Sequence, residues 1–170
     1  MKLEILQPTV DQKYILRNLM ELYQYDFSEF ENEDVNEDGV YGYRHLNNYW
    51  TTPGHFPFLI KVDGNLAGFA LVREIASSDT HSSSYFKICE FFIMKKYRKE
   101  GIGKKSAFYL FDFFPGAWEV AEIETNLPAQ RFWRKVISEY TDNNFLEVQK
   151  DNWHGPIQLF TSQKHLCPTR

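Results

Sequence analysis

The chain lacks any apolar run approaching the roughly 18 residues of a membrane-spanning helix, so no membrane contact is expected. Cysteine is scarce. Cys89 and Cys167 are the only two and lie far apart, which offers no disulfide framework; a buried, reduced Cys89 within a strand and a cytoplasmic location are the expectations. Excess positive charge is missing as well: the net charge of −4 leaves no basic footprint for nucleic acid. The opening Met1-Lys2-Leu3-Glu4 carries an early acid and no apolar stretch of the secretory kind, so no leader is expected. His45, His55, His81, His154 and His165 are scattered without metal-ligand spacing, which argues against a metal site. Ser82-Ser83-Ser84 lacks the strand-to-helix setting of a nucleophile elbow and reads as loop.

Hydrophobic residues make up 43% and aromatics 17%, enough to exclude a disordered chain. A length of 170 residues fits one domain, residues 1–170, able to bury about two thirds of its unfolded surface. No repeat and no second domain are apparent. Lys2 to Leu6 reads as a short strand. Thr9 or Asp11 can cap a helix to about Phe27, with Ile15, Leu16, Leu19, Leu22 and Tyr23 at helical spacing toward the core. An irregular link through Gly39 to Gly54 follows. Phe58 to Val62 and Leu66 to Arg73 form a hairpin about Asp63-Gly64-Asn65. Ser77 to Ser84 is a polar loop. Then come a strand at Phe86 to Met94, a helix to about Phe114 stopped by Pro115-Gly116, a strand at Trp118 to Thr125, a further helix, and closing strands at Phe145 to Gln149 and Pro156 to Thr161, joined through Asp151 to Gly155.

Between the strand at Phe86 to Met94 and the helix after it stands Tyr97-Arg98-Lys99-Glu100-Gly101-Ile102-Gly103-Lys104. Gly101 and Gly103 let the backbone approach an anion closely. The first turn of the helix adds unpaired N–H groups and the positive end of a dipole, so a pyrophosphate is the natural guest. The spacing is neither that of dinucleotide folds nor that of P-loops.

Arg98-x-x-Gly101-x-Gly103 resembles the acyl-CoA loop of the GNAT superfamily of N-acetyltransferases. The second strand–helix unit strengthens the resemblance, because Asn126, Ala129 and Trp133 fall on the family's Asn-x-x-Ala-x-x-x-aromatic pattern; the two units span about Phe86 to Ile137. The resemblance implies an α/β (α+β) fold: a mixed, mostly antiparallel sheet whose central parallel strands splay apart, flanked by helices. It implies acetyl-CoA as acyl donor, with no metal. Arg98, Lys99, Glu100, Gly101, Ile102, Gly103 and Lys104 would hold the pyrophosphate. The backbone of Phe92, Ile93 and Met94, with Asn126, Ala129, Phe132 and Trp133, would flank the pantetheine arm, and the amide near Ile93 would face the developing oxyanion.

Glu90 sits where some members of the family place a general base. Alternation puts it with Phe92 and Met94 on one face, opposite Cys89, Phe91 and Ile93. Desolvation by Ile88, Phe91 and Phe92 would favour its neutral form, as a base working near neutrality needs; a salt-bridged or sheet-edge glutamate is the alternative. Trp133 stands where many members carry a proton-donating tyrosine. An indole N–H cannot release a proton at useful pH, so its role is open, and Tyr97, Tyr140, water or the substrate ammonium remain as donors.

Asp26 to Asp38 holds seven acidic residues and no basic one. Within it Asp34-x-Asn36-x-Asp38-Gly39 matches the first half of a calcium loop, but His45 occupies the place of the bidentate glutamate, and the stretch reads as a solvated turn. Asp26, Glu29, Glu31 and Glu33 interleave with Tyr23, Tyr25, Phe27, Phe30, Tyr41, Tyr43, Tyr49 and Trp50. Carboxylates and aromatic faces both favour a cation, which fits a cationic amine acceptor; a charged loop with its aromatics packed inward fits equally. The expected partner is therefore a small-molecule amine or a protein amine, and a homodimer is compatible with the sequence. A non-catalytic acyl-CoA-binding sensor or partner module is the alternative function, with Trp133 as its best support.

Overall fold

The computed structural model describes residues 1–76 and 84–163. Ser77 to Ser83, His165 and Cys167 lie outside them, and with them the expected polar loop. The chain forms two compact units, one of Met1–Arg73 with Cys89–Arg98, the other of Glu74–Ile88 with the chain from Lys99 onward.

In the first unit, β1 (Leu3–Leu6) leads through a tight turn at Val10–Gln12 into α1 (Lys13–Phe27). The Gln12 side chain accepts the Thr9 N–H at 3.1 Å, which fixes the entry to the helix. α1 buries Leu16, Leu19 and Met20 against Leu59, Phe69, Leu71 and Phe92, and each such side chain contributes about 1.5–3 kcal/mol. Leu22, expected in this face, is 48% exposed. Six residues after Leu16, it points about 120° away at 3.6 residues per turn, and Met20 fills the stripe instead. The irregular link contains a short helix, α2 (Asn48–Thr51), that the sequence did not announce. β2 (His55–Val62) and β3 (Asn65–Ile75) pair antiparallel through a two-residue turn; Asp63 (φ 49°) and Gly64 (φ 79°) both take the left-handed conformation such a turn demands.

β4 (Tyr85–Ile93) supplies its second half to the first unit and its first half to the second. The second unit continues with α3 (Ile102–Phe113), β5 (Gly116–Ala121), α4 (Leu127–Thr141), β6 (Leu146–Lys150) and β7 (Trp153–Ser162). Its core is aromatic. Phe111 meets Trp118 at 5.0 Å, Tyr140 at 5.0 Å and Phe160 at 4.8 Å between ring centroids. The link between β6 and β7 is only Asp151-Asn152, shorter than expected, because β7 begins at Trp153.

The seven strands run in the order β1-β2-β3-β4-β5-β7-β6, a mixed and mostly antiparallel sheet flanked by helices. β4 and β5 pair in parallel at Phe86–Trp118, Lys87–Glu119 and Ile88–Val120, and the paired register ends there although β4 runs on to Ile93. That leaves the end of β4 without β5 as a ladder partner.

Candidate active site

β4 ends in a turn at Lys95–Tyr97, and the chain then passes through Lys99 (φ 67°) to Gly101 (φ 76°). Gly101 is the N-cap of α3, and a Cβ built on it meets nothing within 4 Å, so the space over the helix start is open. Lys105 N–H makes the first return bond of α3, to the Gly101 carbonyl at 3.0 Å. The amides of Ile102, Gly103 and Lys104 precede that bond and have no acceptor within the helix. A left-handed N-cap, open space and a turn of forward-facing amides fit the pyrophosphate of acetyl-CoA. Lys99 and Glu100 are exposed beside it, while the Lys104 ammonium pairs with Glu139 at 3.0 Å.

Arg98 is engaged within the first unit. Its Nε donates to the Ile93 carbonyl at 2.7 Å, its guanidinium lies 5.7 Å from the Phe92 ring centroid, and its NH2 group pairs with Asp26 in the last turn of α1. Asp26 also takes Lys95 at 3.1 Å. Burial alone would raise the Asp26 carboxyl, but the hydrogen bonds from Arg98 and Lys95 outweigh it and hold the group below the usual carboxylate range. Arg98 thus braces the end of β4 against α1. Of the neighbouring amides, Met94 N–H donates to the Ala67 carbonyl at 2.8 Å. Phe92 and Ile93 are buried.

Glu90 is half-buried on β4, beyond the part of the strand paired with β5, and is in no ion pair among the described residues. The Tyr43 hydroxyl donates to its Oε1 at 3.0 Å, and the Tyr23 hydroxyl also bonds to it. Burial pushes the carboxyl above its ordinary range, the two tyrosine bonds pull it back, and the charge of Glu31 pushes it up again. Cys89 packs on the same cluster as Phe92 and Met94 and bonds with the Tyr49 side chain. Tyr23 itself meets Phe27 at 5.4 Å, Phe69 at 5.7 Å and Phe92 at 5.8 Å.

The acidic stretch is a solvated connection in which residues 31–40 are all exposed. Asn36 organises its tip, its Oδ1 accepting from Asp38 N–H at 3.0 Å and Val40 N–H at 3.1 Å. Sequence reasoning passed over Glu21. Its carboxylate takes the amides of Tyr41 at 2.7 Å and Gly42 at 2.9 Å, and only the fold brings those groups together.

In the second unit, Asn126 caps α4, its Oδ1 accepting the Ala129 N–H at 3.0 Å. Trp133 is buried against Phe132 at 5.0 Å and Phe111 at 6.4 Å. The Tyr140 hydroxyl, one of the alternative proton donors, donates a hydrogen bond to Asp112 at 2.7 Å, and burial holds its pKa well above the ordinary 10.0. Tyr97 is half-buried, with the Lys96 ammonium 5.2 Å from its ring. Among the described residues no cluster of His, Cys, Asp or Glu is arranged to hold a metal, and no helix is long and apolar enough to cross a membrane.

In α/β proteins, a strand followed by a helix start whose first amides lack helical acceptors is an arrangement suited to a phosphate-bearing ligand. The family model of the acetyltransferase (GNAT) family matches residues 16–137, and the chain belongs to that family, whose members take acetyl groups from acetyl-CoA. No curated protein matches it. Among solved structures, an acetyltransferase of Thermus thermophilus is similar with a TM-score of 0.69 at 13% identity, covering 95% of this chain and 97% of that one. The PaiA N-acetyltransferase of Thermoplasma acidophilum, in complex with coenzyme A, has a TM-score of 0.62 at 14% identity over 95% and 99% of the two chains. An aminoglycoside acetyltransferase in complex with coenzyme A has a TM-score of 0.63 at 15% identity over 96% of each.

Proposed function

We propose that this acetyltransferase moves the acetyl group of acetyl-CoA to a primary amine on a cationic small molecule by direct attack. The observation that carries the reading is the Glu90 carboxyl, lifted by burial, bonded by Tyr43 at 3.0 Å and coupled to Glu31. A base working near neutrality needs such a lift, and uncompensated acids beside aromatic rings favour an ammonium. Glu90 accepts a proton from the substrate ammonium. The freed nitrogen attacks the thioester carbonyl carbon, the C–N bond forms, and the C–S bond breaks to release thiolate. The Ile93 amide is the oxyanion contact, since the Met94 amide is already bonded to Ala67. The amides of Ile102 to Lys104 hold the pyrophosphate, and Asn126, Ala129, Phe132 and Trp133 flank the pantetheine arm. The thiolate takes its proton from water or from the ammonium formed in the reaction, because Trp133 cannot supply one.

An acetylation screen over polyamines, aminoglycosides, amino acids and peptide amines, read by free thiol release, tests the acceptor class. The expected result is turnover with cationic small molecules. A best substrate that is neutral or anionic overturns it. Glu90→Gln should lower kcat more than acetyl-CoA affinity, and an unchanged pH–rate profile removes Glu90 from the mechanism.

A further inference from the structure

Glu90 sits on β4, yet the hydroxyl that bonds its Oε1 comes from Tyr43, 47 positions earlier, in the return arm of the acidic connection. That arm has little regular structure of its own to aim a side chain. Two residues before Tyr43, however, the Glu21 carboxylate grips the chain with both oxygens, Oε2 on Tyr41 N–H at 2.7 Å and Oε1 on Gly42 N–H at 2.9 Å. The Gln24 side chain, one turn further along α1, donates to the Gly42 carbonyl at 3.2 Å. A bidentate carboxylate on consecutive amides fixes both the position and the direction of the backbone, and α1 is anchored by its buried face.

We infer that Glu21 is a positioning residue for catalysis: by clamping Tyr41 and Gly42 to α1 it delivers the Tyr43 hydroxyl to Glu90 and so keeps the carboxylate in its proton-accepting form. The inference rests on the reading of Glu90 as base, although the placement itself can be measured without turnover. Tyr23 from α1, Glu31 from the acidic connection and Tyr43 bear on the Glu90 carboxyl, Tyr49 from α2 feels its charge, and Arg73 of β3 and Cys89 of β4 act on the Tyr43 hydroxyl. Tyr49 from α2 bonds to the neighbouring Cys89. Glu31 raises the Glu90 carboxyl, whereas the Tyr23 and Tyr43 bonds lower it, so losing Tyr43 must move it upward.

The test compares Tyr43→Phe, Glu21→Ala and Glu21→Gln, each first checked for a wild-type circular dichroism spectrum and melting behaviour. The Glu90 carboxyl is followed by carbon-detected NMR titration of the unliganded protein, and the acid limb of kcat/KM is measured in parallel. Tyr43→Phe and Glu21→Ala should both raise the Glu90 midpoint by about one pH unit, the size expected when a carboxylate loses one hydrogen bond. Both should raise the acceptor KM with the Kd of acetyl-CoA unchanged, and Glu21→Gln, which keeps one of its two acceptors, should fall between wild type and Glu21→Ala. A Glu90 midpoint that moves in Tyr43→Phe but not in Glu21→Ala overturns the role of Glu21, and one that moves in neither overturns the whole inference. If both variants shift the NMR midpoint while Glu90→Gln leaves the pH–rate profile unaltered, the positioning stands and the base assignment falls. Should Glu21→Ala fail to fold, the Glu21→Gln titration decides alone, and an unshifted midpoint there counts against the inference.

Discussion

Glu122 and Gln158 lie against each other inside the second unit, and as a charged carboxylate Glu122 would leave both of its oxygens and the Gln158 Oε1 without a hydrogen-bond partner. One proton relieves part of this: a neutral Glu122 has an O–H that can donate to Gln158 Oε1, while the Gln158 amide donates to Glu147 at 2.9 Å. Burial accordingly pushes the Glu122 carboxyl up to about 8 from an ordinary 4.5, with the charge of Glu147 adding to the rise against the lowering effects of Gln158 and Arg134.

Because the folded state holds this proton more tightly than the unfolded chain, the contribution of Glu122 to stability is fully present below pH 4.5 and is lost as the pH climbs to about 8. The loss has a ceiling on the order of 5 kcal/mol. Glu122→Gln, whose amide donates to Gln158 Oε1 at every pH, should abolish it. Denaturant midpoints at about pH 5 and about pH 8.5 check this; equal losses in wild type and variant would count against a neutral Glu122.

Gly101→Val should weaken acetyl-CoA binding at least about tenfold, since it fills the open space over the helix start and forces a β-branched residue to a φ of 76°. Gly101→Asn, which tolerates the left-handed conformation, separates the two causes: it should fold as wild type and still bind less tightly. Gly103→Val obstructs the approach without that strain. Calorimetric titration of all three gives the answer, and normal affinity throughout would make the loop no more than a turn.

Arg98→Ala should lower the melting temperature more than it weakens acetyl-CoA binding, because the guanidinium is spent on Ile93, Phe92 and Asp26. Asp26→Asn should do much the same. A tenfold loss of cofactor affinity with unchanged stability would instead assign the charge of Arg98 to the pyrophosphate.

Neutralising Glu29, Glu31 and Glu33 together should raise the acceptor KM with little change in acetyl-CoA affinity, and the effect should shrink in salt as the attraction is screened. An unaltered KM would return residues 31–40 to a merely solvated connection.

Local signals carried the elements in the sequence. The hairpin was legible because Asp63-Gly64 states its own turn chemistry, the α3 junction because two glycines interrupt a change of period from 2 to 3.6, and α4 because Asn126 and Pro128 are start signals. Leu22 and Met20 were confused because an apolar residue off the stripe looks the same in sequence as one on it. The Tyr43 contact to Glu90 and the Asp26 contact to Arg98 span 47 and 72 positions, and no periodicity reports a pairing made only by the packed fold. Glu21 was invisible for a further reason: its partners are backbone amides, which every residue possesses.

The ion pair between Asp26 and Arg98 makes the last turn of α1 a tie-rod. At one end it continues into the acidic connection; at the other it holds the residue three positions before Gly101. The pair therefore closes a stretch of chain that starts in α1 and ends just past β4, so the strand that carries Glu90 cannot slide along α1 without breaking it. Asp26→Asn should release that closure, and amide exchange at the end of β4 should then quicken while the rest of the strand keeps its protection.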